Sequence, residues 1–379
     1  MSNSRIAIRA RYVAGMTIAA FITAGCGGAG GGIPATGASS VQAPNHRAKN
    51  GSSVSVLKQL TQQVVIGSAV DPLTGAQNPY GLAIAPVTNG VFTAGDLVIC
   101  NFNSKFNTQG SGKSLVVLHP VPGSTPAHVT QNQKLLGCDA LALAPDDSVW
   151  AAAMVGNDDA VYSPSGKLVA SLTGKPFGQP WGQVYVNSPS GTPAIYESNA
   201  HTGTIVRINL GASPTFDVIG SQFPRNRAVP GNALAPSGLV YDRSIDTLYF
   251  ADGQNDTVVA FKNVSSIPNG GVVAHNRGMT FSGPSAGDAS IVYAGAPLNG
   301  PISMALLYNG NLVVGNTLDP AGTNLLIELS PAGQVLDTVN VDTGPGGALF
   351  GIVATGTSSS DAKVYFNDDN QNNVQVLEQ

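Results

Sequence analysis

Six segments of the chain repeat the same order of short β-strand patterns, and this repeat limits the possible folds more than any other feature. In the clearest copy, Pro236 to Asp242, Thr247 to Asp252 and Asp256 to Phe261 are short runs rich in Val, Leu, Tyr and Phe. Gly, Asp and Asn separate the runs, which is typical of consecutive antiparallel hairpins. Copies begin near residues 78, 138, 180, 236, 301 and 348. The repeat therefore predicts six small antiparallel sheets.

A Ser-Pro-x-Gly turn indicates a fourth strand in two of the copies. Ser163 to Gly166 and Ser330 to Gly333 each stand between two β-rich runs. Proline holds φ at the first corner of the turn and glycine accepts the positive φ that follows, so both stretches are predicted hairpins. Six units of four strands predict a β-propeller, in which each small sheet packs against a neighbour on both faces.

The two ends of the repeat region complement each other. The last copy has strand patterns at Phe350 to Ala354, Lys363 to Asn367 and Asn373 to Leu377, and it lacks a fourth. A β-rich run, Leu60 to Ser68, precedes the first copy. Pairing this run with the outer edge of the last blade would cover an edge that otherwise invites aggregation. We therefore predict an all-β fold, a six-bladed β-propeller with an N-terminal strand closing the last blade.

The composition excludes several other classes of protein. Charged residues make up 11% of the chain and hydrophobic residues 42%, with 46 Gly and 25 Pro. A helical bundle needs more charge on its exposed faces, and a disordered chain has fewer apolar residues. Without its first 25 residues, which hold three Arg and no acid, the chain keeps 15 basic and 22 acidic residues, a net charge of −7. No basic patch is present, so nucleic acid is not an expected partner.

The first segment has the features of an export signal. Three Arg precede the apolar run Tyr12 to Ala24, which is shorter than the ~20 residues of a membrane span. The sequence Ile22 to Cys26 resembles the lipobox of bacterial lipoproteins, although Thr23 stands where that family usually has Leu, Val or Ile. The resemblance implies lipid modification of Cys26. The alternative is ordinary cleavage nearby, with Cys26 left as a free thiol.

These features divide the chain into three parts. Residues 1–25 are a predicted lipoprotein-type signal peptide, 26–53 a Gly/Ser-rich flexible tether and 54–379 the propeller. We expect an exported, membrane-anchored lipoprotein that faces the periplasm or the cell exterior.

The copy from Pro236 to Phe261 resembles the NHL repeat, and about Val54 to Gln379 is similar to NHL-type six-bladed propellers. The second copy departs from the pattern, because Asp139 and Ala140 stand in place of Pro-x-Gly. The resemblance implies a binding platform. Propellers of similar architecture also include lactonases of the SMP-30/gluconolactonase type, streptogramin-lyase-like enzymes and peptidyl-amide lyases, and fold does not choose among these functions.

Polar residues follow the second strand pattern of most copies, where they are expected to approach the central channel. They are Asn101, Asn103, Glu197, Asn199, Asp252, Asn316, Asn367 and Asp368. SMP-30-like enzymes hold a channel metal with a Glu/Asn/Asp set, so the resemblance implies a Ca²⁺ site at Glu197, Asn199, Asp252 and Asn316. The alternative is that such residues bond the backbone of their own turns. Glu197 and His201 are the candidate catalytic residues, and His201 alternatively belongs to an ordinary hairpin loop.

Two cysteines and two aromatic residues leave further alternatives open. Cys100 and Cys138 either form a disulfide, as an exported protein allows, or remain buried thiols. Tyr80 and Trp181, at the start of first strands, either stack on a ligand or pack between blades.

The sequence favours a monomeric propeller that binds a protein or a small-molecule ligand on one rim. A metal-dependent lactonase or lyase with its site at the central channel is the alternative, so enzymatic activity is left open. A purely structural envelope protein is a third hypothesis.

Overall fold

The structure is a computed structural model that describes residues 53–187, 193–211, 213–228, 230–318 and 323–379. The predicted signal peptide, Cys26 and all but the last residue of the predicted tether lie outside these ranges and stay predictions. Within the described ranges, no helix is long and apolar enough to cross a membrane.

The described residues form six sheets, which are the blades of a β-propeller, as the sequence predicted. The first strands of successive blades contact each other around the ring, and the first strand of the last blade contacts that of the first. The N-terminal strand β1 (Gln62–Ser68) belongs to blade 6. Blade 1 contains β2 (Gln77–Ile84), β3 (Leu97–Asn103), β4 (Ser114–Leu118) and β5 (Ala127–Gln131). Blade 2 contains β6 (Cys138–Leu143), β7 (Val149–Ala153), β8 (Asp158–Tyr162) and β9 (Leu168–Thr173).

The remaining elements complete the ring. The sheet of blade 3 contains β10 (Pro180–Val186), β11 (Ala194–Asn199), β12 (Thr204–Asn209), β13 (Thr215–Ser221) and the later strands β17 (Val272–His275) and β18 (Thr280–Ser282). Blade 4 contains β14 (Pro236–Asp242), β15 (Thr247–Asp252), β16 (Thr257–Phe261) and β19 (Ala289–Ala294). Blades 5 and 6 contain β20 (Pro301–Leu306), β21 (Leu312–Asn316), β22 (Asn324–Leu329), β23 (Val335–Asp342); β24 (Ile352–Thr355), β25 (Lys363–Asp368), β26 (Asn373–Glu378). Short 3₁₀ helices span Leu57–Gln59, Gln133–Leu135, Val264–Ser266 and Ala286–Asp288.

The N-terminal strand closes the ring. β1 pairs antiparallel with β26, from Gln62 opposite Glu378 to Ser68 opposite Asn373, and becomes the fourth strand of the last blade. The prediction from the missing and spare strands is therefore confirmed. β24 begins at Ile352, two residues after the predicted start of that strand.

A buried carboxylate holds the segment that leads into β1. Glu328, in β22 of blade 5, accepts hydrogen bonds from Ser55 Oγ at 2.7 Å, from the backbone N–H of Val56 at 3.1 Å and from that of Leu57 at 2.8 Å. Asn311 Nδ2 donates a fourth at 2.7 Å. Glu328 is fully buried, so the chain is tied to blade 5 before it pairs with blade 6.

The Ser-Pro-x-Gly stretches form the predicted hairpins. In the second of them, the N–H of Gly333 donates to the carbonyl of Ser330, and the N–H of Ser330 donates to that of Gln334. Gly333 has a φ of 80°, the conformation for which glycine is favoured in turns.

An insertion in blade 4 extends blade 3, which the sequence did not predict. β17 and β18 lie between β16 and β19 in the chain, yet β17 pairs in parallel with β13. Arg207 fastens the insertion to blade 3 by donating to the carbonyls of Ser265 and Ile267, at 3.1 and 3.0 Å. Because this contact joins residues that are far apart in the chain, no local sequence pattern predicts it.

The core consists of apolar layers between neighbouring blades. The second strands β3, β7, β11, β15 and β21 are buried along their whole length. Because both faces of such a strand are covered, it appears in the sequence as a continuous apolar run rather than as an alternating pattern.

Candidate functional site

The six first strands surround a central cavity of about 510 Å³. Residues at the start of these strands, such as Tyr80 and Phe350, meet at one end, which we call the closed end. The turns that follow the strands, at Pro86, Arg243 and Thr357, line the other end, which we call the mouth. The predicted site residues lie at the closed end, since the second strands return there.

A ring of small residues lets the first strands converge. The ring consists of Gly81, Ala140, Gly182, Gly238, Ser303 and Gly351. A Cβ atom on Gly238 would lie 2.7 Å from the backbone oxygen of Ile302 in the next blade, and one on Gly351 would lie 2.5 Å from that of Tyr80. Larger side chains at these two positions would push neighbouring blades apart, so glycine is required by the close approach of the strands.

Aromatic side chains fill the closed end. Tyr80 is stacked between Phe102 and Phe350, with ring centroids 4.1 and 3.5 Å apart and nearly parallel planes. Trp181 and Ile302 belong to the same buried cluster. Apolar packing therefore occupies the position where a channel would otherwise open to this rim.

The cavity above this floor has mostly apolar walls. One aligned position of the six first strands contributes Leu82, Leu141, Gln183, Leu239, Met304 and Ile352, and the position two residues later contributes Ile84, Leu143, Tyr185, Tyr241, Leu306 and Ala354. Among the described lining residues, Arg243 at the mouth is the one basic side chain. The cavity can thus hold an apolar group of small-molecule size.

Asp139 is a buried acid at the inner end of the cavity. It directly precedes Ala140 of the ring of small residues, as Tyr80, Trp181 and Phe350 precede the ring glycines of other blades, and it is 3% exposed. Its Oδ1 has no hydrogen-bond partner among the described residues. Burial raises the pKa of the Asp139 carboxyl well above its usual range. An unpartnered buried acceptor costs free energy, so the site favours a ligand that donates to it.

Gln183 is a second polar group of the cavity wall, and it links two buried acids behind it. Its Nε2 donates to Asp159 Oδ1 at 2.8 Å and to Glu197 Oε2 at 3.0 Å, while its Oε1 has no partner among the described residues. Burial, with the charge of Asp159, raises the pKa of Glu197 well above its usual range, and burial raises that of Asp159 to about 8. Because both carboxyls are fully buried and accept from the same amide group, the pair keeps a proton at neutral pH.

The side-chain oxygens of three predicted metal ligands already accept hydrogen bonds within the protein. Glu197 accepts a hydrogen bond from Asn199 Nδ2 at 3.0 Å, and Asn199 Oδ1 accepts one from the N–H of Gly178 at 2.7 Å. Asn316 Oδ1 accepts from the N–H of Asn299 at 3.0 Å, and its Nδ2 donates to the carbonyl of Pro297. The two asparagine oxygens thus accept from the loops that lead into the first strands and Glu197 accepts from neighbouring side chains, so the Ca²⁺ site stays a prediction.

Asp252 and His201 stand apart from the cavity. Asp252 is buried at the end of β15, where its Oδ1 accepts from the N–H of Gln254 at 3.2 Å. Burial raises its pKa to about 8. His201 is exposed in the turn after β11. In the part of the chain that the structure describes, no group of three or more His, Cys, Asp or Glu is arranged to hold a metal ion.

The two open alternatives have structural answers. Trp181 is buried in the closed-end cluster, while Tyr80 packs there and also borders the cavity. Cys100 and Cys138 are joined by a disulfide between blades 1 and 2, with Cα atoms 5.8 Å apart, an ordinary separation for such a bond. Cys100 lies in the middle of β3, and Cys138 begins β6.

Sequence reasoning missed Asp139 and Gln183 as site residues, although both left a signal. Asp139 replaces the usual Pro-x-Gly start of a copy, and Gln183 stands where the other copies have Leu, Met or Ile. Gln183 is the one polar residue at its position of the repeat and Asp139 the one charged residue at its own, and both face the same cavity.

Comparisons with known proteins establish the fold and no more. No protein-family model matches the sequence, and no curated protein matches it by sequence. The PQQ-bound aldose sugar dehydrogenase from Streptomyces coelicolor has a TM-score of 0.52 at 16% identity, over 84% of this chain and 98% of that one.

Two further solved structures are similar. A streptogramin B lyase has a TM-score of 0.50 at 11% identity, over 84% of this chain and 87% of that one. A chain in a nidogen/laminin complex has a TM-score of 0.51 at 15% identity, over 75% and 87%. Two of these names denote enzymes and one a protein complex, so the similarity supports a propeller without choosing its activity.

Proposed function

We propose that this protein is an exported, lipid-anchored propeller that binds a small molecule in its central cavity through the mouth. The observation that carries the proposal is a pocket of about 510 Å³ with apolar walls and two convergent polar groups, Asp139 and Gln183, at its inner end. Such a combination is characteristic of small-ligand sites. The aromatic floor argues for the mouth, and against the opposite rim, as the route of access.

The position of the N-terminal segment is consistent with this arrangement. β1 runs from the mouth end toward the closed end, because it pairs antiparallel with β26 of the last blade. Residues Ser55 to Leu57 therefore lie at the mouth end, beside the Asn311 turn of blade 5. A lipid on Cys26 would connect the propeller to the membrane through a tether that enters at this end.

The cavity is tested with Nile red, a neutral apolar dye whose fluorescence rises on leaving water. We expect saturable binding to the full chain and a loss of at least about tenfold in affinity in Ala354→Trp, since Ala354 lines the cavity and is only partly buried. Ala332→Trp, in an exposed turn, is the matched control. Equal binding by both variants would place the dye elsewhere and refute the cavity as the site.

An enzyme that uses the cavity is the second candidate. The pair Asp159 and Glu197 favours it, because shifted carboxyl pKa values beside a pocket are frequent among catalytic acids and bases. The measurement is hydrolysis of a panel of γ- and δ-lactones by the wild type and by Glu197→Gln. Turnover that the variant loses while keeping its melting temperature would support the enzyme; no turnover would leave ligand binding as the function.

A further inference from the structure

The inner end of the cavity presents hydrogen-bond acceptors without matching donors. Asp139 Oδ1 and Gln183 Oε1 are both buried without a hydrogen-bond partner among the described residues. Asp159 Oδ2, behind Gln183, also lacks a partner there. The Nε2 group of Gln183 is already used by Asp159 and Glu197. A ligand that brought only acceptors would leave Gln183 Oε1 unpaired, whereas one that brought N–H or O–H donors would satisfy both cavity-lining atoms, Asp139 Oδ1 and Gln183 Oε1.

The charges around this end have one sign. Asp139 and Tyr80 are the ionisable groups that line the inner end, Asp159 and Glu197 lie behind Gln183, and the one basic lining residue, Arg243, lies at the mouth. An anionic ligand group at the inner end would meet the Asp139 carboxyl and no cation. A cationic group would find in Asp139 a counter-ion with a free oxygen, in a place dry enough for the attraction to be strong.

The surroundings select the rest of the ligand. Leu82, Leu141 and Met304 line the wall next to the inner end, and Tyr185 and Tyr241 line it nearer the mouth. Apolar and aromatic walls of this kind favour a hydrocarbon or aryl body over a sugar or a peptide backbone, whose polar groups would lose water without replacement.

From these contacts, and resting on the proposed function, we infer that the ligand is an organic amine: an apolar or aromatic body whose ammonium group donates to Asp139 Oδ1 at the inner end of the cavity. The ammonium has three N–H donors, so that besides the one that bonds Asp139 a second is available for Gln183 Oε1. The proton balance is simple. Burial favours the protonated form of the empty site's Asp139, so pairing with an ammonium leaves a carboxylate and releases that proton to solvent.

The test compares three probes with one body: 4-phenylbutylamine, 4-phenylbutan-1-ol and 4-phenylbutyrate, each titrated into the full chain at pH 7 by calorimetry. We expect the amine to bind at least about tenfold more tightly than the alcohol, and the carboxylate to bind most weakly. Titrations in two buffers of different ionisation enthalpy should show net proton release on binding of the amine and none for the alcohol.

Asp139→Asn keeps the shape and an acceptor oxygen but removes the charge. It should abolish the preference for the amine and the proton release, while alcohol affinity changes by less than about threefold. Asp337→Asn, on the outer strand β23, is the matched control and should behave as the wild type. A melting curve of each variant confirms that it is folded.

The outcomes separate this inference from the function on which it rests. If the alcohol and the amine bind equally, and Ala354→Trp blocks both, the cavity is a ligand site but the amine assignment is wrong. If Asp139→Asn weakens both equally, Asp139 has a structural role and the assignment also fails. If no probe and no Nile red binds, the cavity function itself is refuted.

Discussion

Loss of the Glu328 carboxylate should loosen the closure of the ring. In Glu328→Gln, one of the two carboxylate oxygens becomes an NH₂ group that faces donors: Ser55 Oγ and the N–H of Leu57 both donate to Oε2, while the N–H of Val56 and Asn311 Nδ2 donate to Oε1. Whichever oxygen is lost, at least two buried donors lose their acceptor.

The magnitude follows from these contacts. A hydrogen bond to a charged group contributes about 1.5–3 kcal/mol, and the losses are not additive within one cluster, so we expect a cost of about 3 kcal/mol. Because the entropy of unfolding grows with chain length, 1 kcal/mol corresponds to about 1.5 °C in a domain of this size, and the melting temperature should fall by about 4–5 °C.

Two assays check the effect at different scales. Thermal unfolding followed by circular dichroism reports the global loss. Limited trypsin digestion reports the local one, because Lys58 is exposed within the 3₁₀ helix that Glu328 holds. Cleavage after Lys58 should be slow in the wild type and faster in the variant.

Glu378→Gln is the matched control, since Glu378 forms only a partly exposed ion pair with Lys363. Such pairs contribute about 0–1 kcal/mol, so the control should melt within about 1.5 °C of the wild type. If Glu328→Gln also melts in that range and Lys58 is cleaved at the wild-type rate, the carboxylate does not hold the N-terminal segment and the argument fails.

Three further predictions concern other parts of the propeller. Asp252 has a folded-state pKa of about 8, above its ordinary value of 3.8, so folding favours its protonated form. As the pH rises from about 4 to about 8, the free energy of unfolding should therefore fall by up to about 1.4 kcal/mol per pH unit. Urea unfolding at pH 5 and pH 7.5 should show a smaller difference between the two pH values for Asp252→Asn than for the wild type. Gly351→Ala should destabilise the protein by several kcal/mol or prevent folding, because its Cβ would lie 2.5 Å from a backbone oxygen. In the control Gly287→Ala, where no atom lies within 4 Å of the Cβ, the free energy of unfolding measured by chemical denaturation should stay within about 1 kcal/mol of the wild type. Equal effects of the two substitutions would refute the argument from close approach. Replacement of Cys100 and Cys138 by Ala should cost about 3–4 kcal/mol, given a loop of 38 residues, and alkylation of the unreduced wild type in denaturant should label neither cysteine; labelling of both would refute the disulfide.

The architecture was predictable because its signals are local. Each blade is built from consecutive hairpins, so turn residues and short apolar runs in sequence order are enough to count the strands. The Ser-Pro-x-Gly turns and the spare strand at Gln62–Ser68 followed the same logic and were confirmed by the pairings. The extension of blade 3 by β17 was not predictable, because its parallel pairing with β13 depends on a contact between two blades.

The site depended on the tertiary structure for a different reason. In the sequence, the ends of the second strand patterns carry Glu197, Asn199, Asp252 and Asn316, and no local pattern distinguishes these residues. Whether such residues face a ligand or bond a loop depends on how closely the first strands converge, and that distance is set by the ring of small residues together with the aromatic stack of Tyr80.

The sequence by itself therefore determined the class, the number of blades and the closure of the ring, because these follow from short-range turn chemistry and the two-residue period of strands. Only the tertiary structure decided which end of the central cavity is open and which polar groups reach it. Asp139 and Gln183 belong to different blades, and their common environment exists only after the ring has closed around them.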